Sequence, residues 1–199
     1  GATLARATLS PALWRLDQAR RNRVWVDKTL PEMLEAVLRE GGLGERDVEF
    51  RWENPSRYAP YEHVCQYRES HLAFLSRRME AEGVYYHFEH PEDGAAEVLI
   101  VTDSRSFLTP LSQEGVRYYA LDDDFADGQL GLRTLEMEYS VQAGGARVSG
   151  GDYLHPALDV QGASSSRLDP PFVAQHLEAV TTPARAQRLA QLRAEAQAA

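Results

Sequence analysis

The chain has 199 residues, 43% hydrophobic and 26% charged, proportions ordinary for a globular protein and sufficient for one sizeable core or two small ones. Its 30 acidic and 21 basic residues leave a formal net charge of -9, which opposes attraction to phosphate backbones and argues against nucleic acid as a partner. A lone cysteine, Cys65, excludes an internal disulfide, and no apolar run is long enough to span a bilayer.

Thr3 to Leu9 alternates weakly before Pro11, so the chain is expected to begin inside or just before a strand, as a fragment would. Neither a basic nor an apolar leader opens it, so any export is expected to proceed without a signal peptide. Arg20, Arg21 and Arg23 fit a solvated connection, followed by a short strand at Val24 to Val26. Thr29, Leu30, Pro31 and Glu32 spell a capping box: the threonine oxygen takes a free N–H, the glutamate reaches back, and proline sits where its missing donor is harmless. The helix that follows has Leu30, Leu34, Val37 and Leu38 on its apolar face and ends at Gly41 and Gly42. Val48, Phe50 and Trp52 alternate with charged residues as a strand, and Asn54 to Pro60 reads as a loop.

Tyr67 to His90 is the most informative stretch. A strand ends at Ser70, a good helix N-cap; Leu72, Leu75 and Met79 recur at helical spacing; Gly83 stops the helix. The period then changes to two, with Val84, Tyr86 and Phe88 on one face and Tyr85, His87 and Glu89 on the other. A turn from Pro91 to Gly94 and an apolar run from Val98 to Val101 complete a helix packed on a β-hairpin. Asp103 to Gln113 reads as loop and Val116 to Leu121 as strand. Leu135, Met137, Tyr139 and Val141 mark the longest alternating strand expected. Gly144, Gly145, Gly150 and Gly151 bracket Arg147 to Ser149 as turns or bulges would, and Asp152 and Tyr153 begin another possible strand. Gln161 to Pro171 is the candidate mobile loop. In the last helix, opened by Thr182 and Pro183, Ala186, Leu189, Leu192 and Ala196 form a narrow stripe.

Few constellations point to chemistry. His63 and Cys65, two apart on a strand, point the same way and invite a cysteine–histidine hydrolase reading, but no third orienting group or oxyanion signature accompanies them. Cys65 is better read as a small core residue. His87 and His90 fall on opposite faces of a strand and no HExxH pattern exists, so no metal site is expected. In the acidic run Asp122 to Gly128 the offsets do not suit calcium: the twelfth position is Arg133, so a solvated turn is expected. Tyr58, Tyr61, Tyr85 and Tyr86 offer a weaker reading as carbohydrate contacts. No catalytic or cofactor-binding residue is assigned.

Cys65 to Ser70 (CQYRES), Phe74 to Gly83 (FLSRRMEAEG) and Val84 to Phe88 (VYYHF) closely resemble, in order and spacing, the signature segment of the VgrG family. These are the spike proteins of type VI secretion systems, related to the hub or late control D proteins of contractile phage tails. Asp27 to Leu38 (DKTLPEMLEAVL) also resembles the family's helix after the first barrel. The resemblance covers roughly Thr3 to Leu158. It implies an α+β fold of antiparallel β-barrel-like domains with packed short helices: the end of a first barrel and a connecting α/β segment over 1–63, the strand–helix–hairpin core over 64–110, and second-barrel strands, a mobile loop and a C-terminal helix over 111–199. It further implies a non-enzymatic hub fragment, assembled in the bacterial cytoplasm and secreted by injection. The implied partners are two further copies in a homotrimer, a hexameric Hcp-like tube protein, the needle domain, a tip protein and effectors. The trimer contact is expected along Leu135, Met137, Tyr139 and Val141 and beside the last helix at Leu189 and Leu192.

Overall fold

Strong local signals at both ends of two helices organise residues 1–107, one of two compact units; the other is 108–199. The computed structural model describes residues 5, 7–91, 96–108, 110, 115, 117–119, 131–132, 134–138, 140–165 and 172–198. In the first unit the elements are β1 (Arg20–Lys28), α1 (Leu30–Glu40), β2 (Val48–Arg51), β3 (Tyr61–Ser70), α2 (His71–Glu82), β4 (Tyr85–Glu89) and β5 (Val98–Thr102).

Both expected caps form. Thr29 Oγ1 accepts from the Glu32 N–H at 3.3 Å and the Glu32 carboxylate accepts from the Thr29 N–H at 2.8 Å, starting α1. Ser70 Oγ accepts from the Ala73 N–H at 3.1 Å and donates to Asp17 at 2.7 Å, so one hydroxyl starts α2 and ties it to the preceding chain. Gly83 ends α2 with φ of 68°, a left-handed conformation that a side chain resists. The predicted hairpin follows: β4 and β5 pair antiparallel from Tyr85 with Thr102 to Glu89 with Val98. The turn at Pro91 to Gly94 lies largely outside the described residues.

Leu30, Met33, Leu34, Val37 and Leu38 of α1 meet Phe74, Leu75 and Met79 of α2 and Leu99 and Val101 of β5 in one core. Phe74 is wholly buried and stacks at 6.4 Å on Trp25 of β1, whereas Leu72 of the expected stripe is only half-buried. Complete burial of such a side chain contributes about 1.5–3 kcal/mol.

The sheets are smaller and more mixed than purely antiparallel barrels. β1 and β3 form an antiparallel ribbon; β2 lies parallel to β5 in the order β2-β5-β4. Alternation in sequence is blind to the direction of a neighbour, which is why the parallel pair was not anticipated. No sheet among the described residues closes into a barrel. Arg20, Arg21 and Arg23 belong to β1 rather than to a connection, because β3 supplies partners as far as Ser70 opposite Arg20. Cys65 is exposed rather than in the core: Val64 and Gln66 point inward, and the buried glutamine disguises the inward phase.

The second unit contains β6 (Arg117–Tyr118), β7 (Gly131–Leu132), β8 (Gly145–Ser149), β9 (Gln161–Ser165), β10 (Val173–Leu177) and α3 (Pro183–Ala198). β8 is the centre of its sheet, antiparallel to β9 and parallel to β10, so the bracketed Arg147 to Ser149 is strand, and of the four glycines expected in turns or bulges Gly145 is instead the first residue of that strand. The expected strand at 135–141 is not formed: 134–138 and 140–143 have no regular structure, and Tyr139 lies outside the described residues. An alternating run becomes a strand only where a neighbour completes its hydrogen bonds. Asp152 and Tyr153 instead enter a bend, where the Asp152 side chain accepts from the Leu154 N–H at 2.9 Å. Gln161–Ser165, placed in the candidate loop, is strand β9; 166–171 and the acidic run 122–128 lie outside the described residues, as do 116, 120 and 121 of the strand expected at Val116 to Leu121, of which Arg117–Tyr118 is strand β6.

α3 buries Ala186, Leu189, Ala190 and Ala194 against Val148, Val160 and Val180, with Ala196 exposed, so its inward stripe is turned from the expected one. Small residues permit this close approach. A Cβ at Gly162 of β9 would lie 2.3 Å from the Ala186 backbone, leaving room only for glycine.

Two substitutions test these cores. Phe74→Ala is expected to cost about 3–5 kcal/mol in urea unfolding. Gly162→Ala is expected to destabilise by about 1–3 kcal/mol, because backbone must move to admit the methyl group. Gly151→Ala, with open space at its Cβ, is expected to change the unfolding midpoint little.

Candidate functional site

The β1–β3 ribbon has two unlike faces. Inward, Trp25, Val64 and Gln66 join the core and a polar chain: Gln66 Nε2 lies 3.3 Å from His71 Nδ1, and His71 Nε2 lies 3.8 Å from Glu40. Glu40 also pairs with Arg23, and its carboxyl is held below the usual range chiefly by that guanidinium. Burial lowers the pKa of His71, against the opposing attraction of Glu40, and so favours the neutral imidazole. Outward, Val24, Val26 and Tyr67 are exposed together with His63 and Cys65. The patch was missed because Val24 to Val26 reads as strand without disclosing which face is covered.

His63 and Cys65 do share the outward face, as their spacing required, but no hydrogen bond joins them. His87 approaches Glu89 at 3.5 Å, whose carboxylate is already engaged by Arg51 at 2.6 Å. Arg51 also grips Glu49 at 2.8 Å; its hydrogen bonds lower the pKa of both glutamates and link β2 to the edge of β4 across β5. No group of three or more histidine, cysteine, aspartate or glutamate side chains among the described residues is arranged to hold a metal.

The four tyrosines do not form one platform. Tyr58 is buried and donates to Asp103 at 3.0 Å; burial raises its pKa. The Asp103 carboxylate, itself fully buried, also accepts from the Glu53 N–H at 2.8 Å and lies 3.4 Å from Arg57, so the cluster fastens the end of β2 to the end of β5. Tyr61 hydrogen-bonds Glu82, and Tyr85 and Tyr86 alternate across β4.

In the second unit Leu135 and Met137 are each 68% exposed and Val141 is 88% exposed. Leu189 is only 7% exposed and Leu192 packs beside it, so both are engaged in the core beneath β8 and β9. No helix among the described residues is long and apolar enough to cross a membrane.

The arrangement is one of packed cores, side-chain ties between strands and exposed apolar side chains. A family model described as phage tail baseplate hub (GPD) matches residues 1–199, and the chain belongs to that family. It is 33% identical over 155 residues to the type VI secretion system spike protein VgrG1a of Pseudomonas aeruginosa, an alignment covering 71% of this chain and 23% of the relative. It is 31% identical over 158 residues to the spike protein VgrG5 of the same organism, covering 79% of this chain and 19% of the relative. The chain thus spans about a fifth of the length of these relatives. A solved Escherichia coli protein, c3393, described as a type VI secretion component similar to the T4 bacteriophage tail proteins gp27 and gp5, aligns with a TM-score of 0.47 at 20% identity, covering 89% of this chain and 46% of that one.

The buried histidine supplies a pH test. A folded-state pKa below the unfolded value means stability is full above the ordinary histidine range and falls as pH drops through about 6.5 towards the folded value. Urea midpoints are therefore expected to decline as pH falls below about 6.5, and His71→Gln is expected to flatten that decline. A further loss below about pH 4.5 is expected in both proteins, as Glu40, Glu49 and Glu89 become protonated.

Proposed function

We propose that this chain is a non-enzymatic segment of a spike that joins the tube of a contractile injection machine to its needle. Supporting this reading above all is the family match over residues 1–199, together with two relatives that are type VI secretion system spike proteins. In this reading the chain works as a homotrimer, its sheets contribute to barrel-like walls, and the assembly seats on a hexameric Hcp-like tube protein. A needle domain, a tip protein and effectors are the other partners. The spike assembles in the bacterial cytoplasm and leaves by injection. A mechanical part of this kind needs rigid, tied elements and open contact faces, which matches the character of both units. The hydrolase reading of His63 and Cys65 gains no support from their geometry or from the spike proteins it resembles.

We place the trimer contact along Leu135, Met137 and Val141, with Tyr139 in the same run by sequence. Exposed aliphatic side chains of this kind are what a heterologous, ring-closing interface covers. Leu189 and Leu192 then support the interface from within their own unit. Light scattering is expected to give a mass three times 22.3 kDa. Leu135→Asp with Val141→Asp is expected to yield monomers with unchanged circular dichroism. A trimer that survives these substitutions, or a wild-type chain that is monomeric at all concentrations, overturns this placement.

A further inference from the structure

We propose that the end of the β1–β3 ribbon is a docking site for an acidic, apolar-flanked segment of another protein, held by Arg20 and Arg68. The ribbon carries a bulge there: Arg21 faces Glu69 and Arg23 faces Gln66, so Asn22 alone opposes both Tyr67 and Arg68. Arg68 takes a left-handed φ of 52°, and its backbone is fastened on both sides. Asn22 Oδ1 accepts from the Arg68 N–H at 2.8 Å, and Arg20 Nη1 donates to the Arg68 carbonyl at 3.2 Å. Bulges of this kind re-aim side chains, and a non-glycine residue persists in the left-handed region only where its surroundings hold it there.

The result is an open cleft of about 260 Å³ lined by Arg20, Arg21, Asn22 and Arg68. The nearby acids are already engaged: Glu69 by Arg77 at 2.6 Å, Asp17 by the Ser70 hydroxyl at 2.7 Å, and Glu40 by Arg23, with Arg21 at 3.6 Å. Neither Arg20 nor Arg68 has a carboxylate partner among the described residues. Three of the four residues lining the cleft are arginines, on a chain of net charge -9. Guanidinium groups are weakly hydrated forks that match carboxylates bidentately.

Its surroundings narrow the ligand. The Arg68 guanidinium lies 5.2 Å from the Tyr67 ring centroid, and Val24 and Val26 are exposed farther along the same ribbon. Carboxylates in the cleft with aliphatic side chains along the ribbon satisfy both parts. A nucleic-acid backbone carries uniform charge well beyond the cleft, into the field of an acidic chain, whereas a short acidic segment confines its charge within about one Debye length, roughly 8–10 Å. The site does not depend on the hub reading.

The test uses the full chain and a fluorescein-labelled peptide of alternating aspartate and leucine, followed by fluorescence anisotropy. Saturable binding is expected, weakening as salt rises. Arg20→Gln with Arg68→Gln is expected to weaken it at least about tenfold, and a peptide with asparagine for aspartate is expected not to bind. Arg68→Gln alone leaves the backbone ties of Arg68 in place, so its expected weakening, with an unchanged thermal midpoint, separates lost charge from lost fold. Absence of saturable binding, equal affinity for the asparagine peptide, or unaltered affinity in both variants overturns the proposal. Tighter binding to a single-stranded oligonucleotide or to phosphatidylglycerol vesicles overturns it in favour of phosphate.

Discussion

The first unit depends on the hydroxyl of Ser70. At that point β3 must stop and a helix must begin, leaving N–H groups without carbonyl partners. Ser70 accepts from one of them and donates to Asp17, so the strand end, the helix start and the preceding chain meet at a single atom. With the start of α2 fixed there and its end fixed by Gly83, Phe74, Leu75 and Met79 are presented together to α1 and β5. The core is thus a consequence of where one helix is allowed to begin and end.

Around that core, charged groups act as ties between elements that hydrogen-bonded pairing leaves open. Arg51 engages Glu49 on its own strand and Glu89 on β4; buried Asp103 collects the Glu53 N–H, the Tyr58 hydroxyl and Arg57. A buried carboxylate is tolerable only with such partners, and loss of any one leaves desolvated charge uncompensated. Satisfied polar clusters of this sort confer rigidity and shape.

The second unit solves the same problem with less apolar volume. α3 lies so close to its sheet that Gly162 meets the Ala186 backbone, and Ala186, Leu189 and Ala190 pack with valines from β8 and the flanking chain. Larger apolar side chains of this unit are exposed, at Leu135, Met137, Val141, Phe172 and Leu177.

Local chemistry was legible in the residues themselves. The Thr29–Glu32 box, the Ser70 cap, the Gly83 stop and the alternation of β4 rest on interactions within a few residues, so spacing alone reveals them. The family resemblance drew on the same stretch, where helix, stop and strand follow without interruption. What could not be read rests on neighbours distant in sequence. Cys65 faces out because Gln66, not an apolar residue, holds the inward place; Leu135 to Val141 alternates yet gains no strand partner among the described residues; Gln161–Ser165 looks like loop but pairs with β8. The candidate contact residues divided the same way: helical spacing placed Leu189 on a face, but only packing under β8 and β9 showed that its own unit covers it, while Val141 stays open. Sequence by itself determined where helices start and stop and which family the chain resembles, because caps and periods are local. The tertiary structure alone decided which face is buried, which strands pair and in which direction, and where Arg20 meets Arg68, because each needs a partner brought from far along the chain.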